Sequence, residues 1–174
     1  MPEAEPPHAS LLSPGPLGDL AGGTVRPLLF HPDPSLRLRC EPAGFLTGTE
    51  VRALVRDLLA TMYAAGGRGL AAPQIGVLRR VFVMDAGWKD GAPMPLVMLD
   101  PEILDWSEDW AADVENCLSI PGRPVAMRRA LSVRLGGYDL DGLWHCHHLS
   151  GPAARIAQHE ADHLDGRLIG DLPV

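Results

Sequence analysis

The sequence of 174 residues lacks any apolar run that approaches the roughly 18 to 20 residues of a membrane-spanning helix. Its N-terminus begins with acidic residues and lacks the basic lead of a secretory signal. Positive charge is also scarce, because 15 basic residues stand against 22 acidic ones and give a net charge of −7. A surface of that sign repels phosphate backbones. We therefore predict a cytoplasmic protein with neither a membrane nor a nucleic acid partner.

A set of paired cysteines is missing as well, since Cys40, Cys117 and Cys146 are an odd number in a mid-sized chain. That count argues against a disulfide framework and favours reduced thiols that bind metal or react. The hydrophobic share of 46% and the charged share of 21% are typical of a folded globular protein. With 19 glycines and 17 prolines, the chain is expected to contain many turns and no long helical bundle.

The chain divides into a short tail and a single domain. Residues 1–24 contain five prolines, four glycines and no basic residue, without a helical or strand period. We predict a flexible Pro/Gly-rich N-terminal tail over residues 1–24 and one catalytic domain over residues 25–174.

Hydrophobic periodicity predicts both helices and strands within this domain. A helix is predicted from Thr49, as a candidate N-cap, to about Ala65, before a pair of glycines. A second helix is predicted from about Pro152 to Leu164. Alternating or short apolar runs predict strands at residues 80–85, 96–99 and 131–138. Several strands with two separated helices predict an α+β fold.

The second helix contains a His-Glu-Ala-Asp-His pattern in which His159 and His163 lie four residues apart. At that spacing both imidazoles project from one helical face toward a single metal ion. Glu160 lies on a different azimuth, from which it can reach a metal-bound water without binding the metal. The same pattern also arises by chance on solvated helix faces, so the pattern alone leaves both interpretations open.

A catalytic metal site of this kind needs a third protein ligand and an open position for water. Two known metallopeptidase patterns place that ligand downstream. Here Ile169 occupies the position of a third histidine, and no glutamate follows His163. The third ligand is therefore expected upstream, where Cys117 lies among turn-forming residues and Cys40 and Cys146 are competitors.

Three separated motifs resemble the signatures of the peptide deformylase family in order and spacing. They are Gly-Arg-Gly-Leu-Ala-Ala-Pro-Gln-Ile-Gly at 67–76, Glu-Asn-Cys-Leu-Ser at 115–119 and Gln-His-Glu-Ala-Asp-His-Leu-Asp-Gly at 158–166. The resemblance extends over about residues 25–170. It implies mixed and antiparallel β-sheets around a central metal-binding helix, with one further N-terminal helix. It also implies a hydrolase that removes the formyl group from the N-terminal formylmethionine of newly made proteins or peptides and releases formate.

The same resemblance implies roles for the site residues. Three of them would bind one divalent metal ion: Cys117, His159 and His163. Glu160 would be the general base, while Gln74 and the backbone N–H of Leu118 would hold the formyl oxygen as neutral, fixed dipoles. The metal implied for the cell is Fe(II), with Zn(II) or Ni(II) in the isolated protein.

The resemblance further implies a substrate-binding set near these residues: Gly67, Arg68, Gly69, Glu115, Asn116, Arg155 and Ile156. Paired glycines let an extended peptide approach the backbone and pair with a strand edge. Three positions depart from the family pattern, since Arg68 replaces an aliphatic residue, Asn116 a glycine and Asp100 an asparagine. Asn116 tolerates a left-handed backbone, whereas the charge of Arg68 puts the preferred substrate in question.

Other polar clusters have structural interpretations. Residues 144–148, Trp-His-Cys-His-His, resemble a cluster of metal ligands. In a strand, however, successive residues face opposite ways and cannot converge on one ion, so we predict a strand without a metal site. Residues 100–115 carry seven acidic residues and no basic one, which predicts a solvated loop or edge. Glu115 and Arg129 are predicted to form a supporting ion pair, as the corresponding family positions do.

The expected partners are N-formylated peptides or nascent chains, and the sequence leaves the oligomeric state open. The segment after His163 has neither the length nor the basic charge for a ribosome-docking C-terminal helix, so docking by that route is not expected. Two rival classes remain. One is a general metallopeptidase, which would cut internal peptide bonds. The other is a deformylase-like protein with altered substrate preference or a catalytically weak N-formyl-peptide binder, suggested by Arg68 and Asn116.

Overall fold

The structure is a computed structural model that describes residues 18–171. Its first helix, α1, spans Gly48–Ala64 and begins after Thr47. The Thr47 hydroxyl accepts the backbone N–H of Glu50 at 3.3 Å, and the Glu50 carboxylate accepts the backbone N–H of Thr47 at 2.8 Å. The helix prediction is confirmed, but the prediction of Thr49 as the N-cap is wrong. Glu50 completes a reciprocal cap only with the residue three positions before it.

Seven strands form two sheets in the described residues. The larger sheet has five antiparallel strands, which are in spatial order Gly69–Ala71 (β1), Val81–Met84 (β2), Leu96–Trp106 (β3), Ser132–Tyr138 (β6) and Trp144–Ser150 (β7). The smaller sheet, called the ribbon below, pairs Trp110–Cys117 (β4) with Ile120–Ala130 (β5). The second helix, α2, spans Gly151–Leu164 directly after β7. These elements confirm the predicted α+β fold.

The five-stranded sheet lies between the two helices, and β2 is buried on both faces. Val81 and Val83 belong to the apolar cluster formed with α1. Phe82 and Met84 point the opposite way and belong to the apolar cluster formed with α2. Because successive strand residues face opposite sides of a sheet, one short strand supplies core to both helices. The position of α2 is therefore fixed relative to the main core.

The acidic segment at residues 100–115 forms strand structure. It contains the second half of β3 and most of β4, and most of its side chains are exposed. The prediction of a loop is wrong, whereas the prediction of a solvated edge fits β4 in its two-stranded sheet. Two register shifts in the pairing of β3 with β6 interrupt the alternation that would otherwise have indicated a longer strand. The strand predicted at residues 144–148 is confirmed as β7, whose residues alternate in exposure.

The predicted tail falls mostly on residues 1–17, which lie outside the described residues. Residues 18–24 contact α1. Leu20 is buried in the α1 cluster, and the backbone N–H of Thr24 donates to Asp57 Oδ1 at 2.8 Å. Contacts with the domain thus begin before the predicted boundary at Val25. In the part of the chain that the structure describes, neither helix combines the length and apolarity needed to cross a membrane.

Candidate active site

Two imidazoles and one thiol converge where α2 meets the end of β4. His159 and His163 are one helical turn apart, and their Nε2 atoms are 3.2 Å apart. Cys117, the last residue of β4, places its Sγ 3.4 Å from Nε2 of His163. One ligand atom from each of these three residues lies within 4.8 Å of the other two. Of the three cysteines that the sequence offers, the fold brings Cys117 to the histidines.

The competing cysteines lie elsewhere. Cys40 is buried beside the end of α2, where its backbone N–H donates to the carbonyl of Leu164 at 2.9 Å. Burial raises the pKa of the Cys40 thiol to about 11, which keeps it protonated near neutral pH. Cys146 is exposed on β7. Within residues 18–171, Cys117 and the two histidines are the one group of three ligating side chains close enough to share a cation.

The donor set fits a divalent cation. Nδ1 of His159 lies 2.9 Å from Oε2 of Glu115, which leaves Nε2 directed at the cluster. Desolvation lowers the pKa of His163 well below its ordinary value, so this imidazole is neutral and able to ligate. Burial acts in the same direction on His159, but contacts with Cys117 and Glu115 outweigh it and raise the pKa to about 10. A position that favours positive charge so strongly suits a metal ion bound by imidazoles and a thiolate.

Glu160 lies beside this cluster with a buried, incompletely paired carboxylate. The residue is 4% exposed, and its Oε2 has no hydrogen-bond partner in the described structure. Burial raises the pKa of Glu160 to about 7. Gly69 in β1 leaves room for the side chain, since a Cβ there would lie 2.2 Å from Glu160 Oε1. A carboxylate with a pKa near neutrality and an unpaired oxygen is suited to accepting and returning a proton.

A buried amide faces the thiol from the segment after β1. Oε1 of Gln74 accepts the backbone N–H of Ala71 at 2.9 Å. That bond directs Nε2 of Gln74 toward Ser119 Oγ, at 3.0 Å, and toward Cys117 Sγ, at 3.8 Å. Leu118 lies next to the thiol in the turn between β4 and β5. A donor fixed in this way suits a carbonyl oxygen that gains negative charge. Sequence reasoning missed Ser119, although it lies in the same short motif.

Glu115 connects the ribbon to α2. Arg129 donates to both carboxylate oxygens of Glu115, at 2.9 and 3.0 Å, and the two side chains are only 4% and 5% exposed. The predicted ion pair is therefore confirmed and is buried. Burial by itself raises the pKa of Glu115, but hydrogen bonds with His159 and Arg129 lower it to about 2. Arg129 also pairs with Asp162 at 2.5 Å. Sequence reasoning missed Asp162, although it lies inside the histidine motif.

The two predicted substrate-binding glycines, Gly67 and Gly69, border the site, while the side chain of Arg68 between them extends toward the loop after β2. A Cβ at Gly67 would lie 2.7 Å from the Leu118 side chain, so this backbone closely approaches the ribbon turn. The Arg68 guanidinium donates to the carbonyl of Ala86 at 2.5 Å and pairs with Asp90 at 3.1 Å. Arg68 thus binds the loop after β2. Its contact with substrate stays a prediction.

The other predicted substrate-binding residues lie on the ribbon and on α2. Asn116 is exposed next to the thiol, whereas Ile156 packs against the α2 core cluster. The charged groups of Glu115 and Arg155 bind each other at 2.9 Å. Substrate contact by these four residues stays a prediction.

One of the departures from the family pattern adopts an unusual backbone. In residues 18–171 the only non-glycine residue with positive φ is Asp100, at 47°, and its side chain accepts the backbone N–H of Ala43 at 2.7 Å. Aspartate and asparagine share the short polar side chain that tolerates this conformation. Asn116, for which we considered a left-handed backbone, does not adopt one.

A thiol and two imidazoles beside a buried carboxylate, on this fold, are typical of metal-dependent hydrolases. Residues 25–172 match the family model of the polypeptide deformylases. The chain is 44% identical over 147 residues to the peptide deformylase of Afipia carboxidovorans, with 84% of this chain and 85% of the relative covered. It is 40% identical over 147 residues to peptide deformylase 1 of Clostridium perfringens, with 84% and 97% covered. The chain therefore belongs to the polypeptide deformylase family.

Solved structures agree with this assignment. The class I type b peptide deformylase from Acinetobacter baumannii with bound Met-Ala-Ser is 32% identical and superposes with a TM-score of 0.78, covering 85% of this chain and 98% of that one. The peptide deformylase from Thermotoga maritima is 34% identical, with a TM-score of 0.77 and coverages of 83% and 95%. The predicted family and activity are confirmed. The protein is a hydrolase that removes N-formyl groups from nascent peptides.

Proposed function

We propose that this chain deformylates peptides and nascent chains that begin with formylmethionine, at a centre where Cys117, His159 and His163 hold one divalent cation. The observation that carries the proposal is the convergence of these three donors beside Glu160, whose Oε2 has no partner. When bound, the cation supplies Lewis acidity toward the formyl group and toward water. The remaining chemistry belongs to side chains and backbone groups of the protein.

Glu160 is the general base in this proposal. Its Oε2 takes a proton from the water that attacks the formyl carbon and later returns a proton to the amine that leaves. The bond between the formyl carbon and the nitrogen breaks, which releases formate and a peptide with a free N-terminal methionine. Burial, which raises the pKa of this carboxylate, helps it to hold the proton between the two steps. Gly69 supports this role because no side chain displaces the carboxylate.

Gln74 and Leu118 stabilise the negative charge that develops on the formyl oxygen. The bond from Ala71 to Oε1 of Gln74 holds Nε2 toward the thiol before any substrate arrives. A donor that is already oriented does not have to reorganise during the reaction. The backbone N–H of Leu118 is the second donor in the proposal, because the turn places this residue directly after Cys117.

An extended substrate has a strand edge to pair with. β1 lies at one edge of the five-stranded sheet and pairs with β2 on its other side. The glycine at position 69 lets a peptide approach that backbone closely. The Acinetobacter baumannii relative binds Met-Ala-Ser, which has the form of a deformylated product. These features support a formylmethionyl peptide as substrate.

We infer that Fe(II) is the metal in the cell and that Zn(II) or Ni(II) replaces it in isolated protein. Imidazole ligands suit all three ions, so the donor set alone does not select among them. A thiolate ligand beside Fe(II) is open to oxidation. Activity of the Fe(II) form is therefore expected to decay in air, while activity of the Ni(II) form persists.

The test is formate release from formyl-Met-Ala-Ser by protein that is loaded with Fe(II) without oxygen. We expect one formate for each new N-terminal amine, and no activity after the metal is stripped. Ni(II)- and Zn(II)-loaded samples are measured in parallel to rank the metals. Stoichiometric Fe(II) without formate release would contradict the proposal. Cleavage of the Met-Ala bond would instead support the rival metallopeptidase.

A further inference from the structure

The candidate site is assembled from two units that share no strand pairing. Helix α2 carries His159 and His163 and packs on the five-stranded sheet, whereas Cys117 lies on the ribbon, which is a separate sheet. The distance between the thiol and the imidazoles therefore depends on how the ribbon docks on α2. Two polar side chains of α2 make this contact through the ribbon backbone: Arg155 and Gln158.

Arg155 bridges both strands of the ribbon. Its Nη2 donates to the carbonyl of Ala111 in β4 at 2.9 Å, and its Nη1 donates to the carbonyl of Met127 in β5, also at 2.9 Å. The same Nη1 reaches Oε1 of Glu115 at 2.9 Å. A planar guanidinium presents several donors in fixed directions, which a lysine does not. Arg155 thus attaches both strands to α2 one helical turn before His159.

Gln158 makes a second attachment beside it. Its Oε1 accepts the backbone N–H of Ala130 at 3.1 Å, and its Nε2 donates to the carbonyl of the same residue at 3.0 Å. The side-chain amide therefore bonds both the N–H and the C=O of Ala130, as the backbone of a neighbouring strand would. Gln158 is 4% exposed, so water cannot readily replace these bonds. Its Nε2 also donates to the carbonyl of Ala154, which restricts the rotamer.

We propose that Arg155 and Gln158 are positioning residues that set the approach of Cys117 to the two histidines and thereby the affinity of the site for its metal. The inference rests on the proposed function, because it takes Cys117 as the thiolate ligand. It differs from the sequence-based prediction that Arg155 contacts the substrate. All three acceptors of the guanidinium belong to the ribbon, and one of them, Glu115, also holds Nδ1 of His159.

Co(II) binding is the test, since a Co(II)–thiolate bond gives a charge-transfer absorption that Co(II) with nitrogen ligands lacks. The metal-stripped chain is titrated with Co(II) against a chelator, as wild type, Arg155→Met and Gln158→Met. We expect Co(II) affinity to fall about 10- to 100-fold in both variants, the range known for residues that orient metal ligands, with a weaker thiolate band. Arg128→Met is the matched control. Arg128 is exposed on the ribbon, between the buried residues Met127 and Arg129, and this variant should match wild type.

Arg155→Lys and thermal unfolding of the metal-free proteins accompany the titration. Lysine keeps the charge and the aliphatic part of the side chain but cannot bridge both strands, so we expect an intermediate Co(II) affinity. This variant also allows the inference to be tested if Arg155→Met fails to fold. A lower Tm with unchanged Co(II) affinity and thiolate band would overturn the inference. So would a raised KM for formyl-Met-Ala-Ser at unchanged Co(II) affinity, which would assign Arg155 to the substrate. A wild-type protein without a thiolate band would instead refute Cys117 as a ligand and the proposed function with it.

Discussion

The two helices bury inner faces of different composition against the same sheet. The apolar residues that α1 buries are all large hydrocarbons or a thioether: Val51, Leu54, Val55, Leu58, Leu59 and Met62. The residues that α2 buries are mostly small or functional: Ala154, Ala157, Gln158, Glu160, His163 and Leu164. Both helices contact β2, one on each face of the sheet. One helix therefore contributes mainly apolar core, and the other carries three residues of the candidate site.

The difference shows where the molecule tolerates unfavourable burial. Apolar surface on α1 stabilises the fold without any partner of defined geometry. Polar groups on α2 are costly to bury unless they are bonded. In the described residues, two buried side-chain atoms lack a hydrogen bond, Oε2 of Glu160 and Nδ1 of His163, and both belong to α2. We expect substitutions in α1 to change stability and substitutions in α2 to change metal binding and catalysis.

The largest expected effect is loss of the metal. Cys117→Ala, His159→Ala and His163→Ala should each remove most bound metal, because a site of three protein donors does not retain the ion with two. Cys40→Ala and Cys146→Ala should keep it, since both thiols lie away from the histidines. Elemental analysis of the purified proteins measures the metal bound by each variant. An empty site in Cys146→Ala with a full site in Cys117→Ala would show that the third ligand lies on β7.

The next effect separates metal binding from catalysis within α2. Glu160→Gln should keep the metal and the fold but reduce turnover about 100- to 10,000-fold, because an amide cannot take a proton from water. Formate release and metal content are measured on the same sample. Undiminished turnover would exclude Glu160 as the general base, and a lost metal would show that this side chain is a ligand.

A buried leucine in α1 should affect stability and leave metal binding unchanged. Leu58 is 0% exposed, so Leu58→Ala should lower the free energy of unfolding by about 2 to 5 kcal/mol. Leu143, which is 61% exposed, gives the matched control, and Leu143→Ala should change the free energy of unfolding by less than about 0.5 kcal/mol. Urea unfolding measures both. Metal affinity of folded Leu58→Ala should equal that of wild type. A fall in metal affinity in folded Leu58→Ala would contradict the separate roles expected of the two helices.

The smallest expected effect concerns Arg68, which belongs to neither helix and binds the loop after β2. Its side chain is 32% exposed and that of its partner Asp90 is 68% exposed, so the pair should contribute less than about 1 kcal/mol. Arg68→Leu, Asp90→Asn and the double variant form a cycle that measures the coupling. Formyl-Met peptides with acidic, neutral and basic second residues are assayed alongside. A selectivity change in Arg68→Leu that Asp90→Asn lacks would place Arg68 in contact with the substrate.

Sequence patterns predicted the elements whose periodicity is simple. Helix α1 has a continuous apolar stripe, and residues 159–163 show a histidine pair whose spacing fixes a common face. The ribbon was harder, because β4 carries acidic residues that resemble a loop and β5 begins with prolines and a glycine, which are typical of turns. Register shifts in β3 added to the difficulty. Local pattern is therefore a weak guide where charged residues, prolines or register shifts interrupt the alternation of a strand.

Roles that depend on long-range contacts were the least predictable. The sequence around Arg155 gave no sign that its guanidinium reaches two carbonyls of the ribbon. Residue patterns alone left three cysteines as candidates, with Cys117 favoured by its turn-forming neighbours, and the resemblance of residues 115–119 to the family motif selected Cys117. In contrast, Thr47 could have been chosen over Thr49, because the glutamate of a capping box lies three residues after the cap.

The division of the site between ribbon and helix also has a consequence for the order of folding. The thiol and the second imidazole are 46 residues apart in the chain, with β5, β6, β7 and most of α2 between them. Contacts of such separation close late, because loop entropy opposes them until other contacts compensate. A partly folded chain therefore cannot offer all three donors together. If the three residues bind the metal as proposed, we expect metal capture to follow docking of the ribbon on α2, and undocking of the ribbon alone should weaken metal binding.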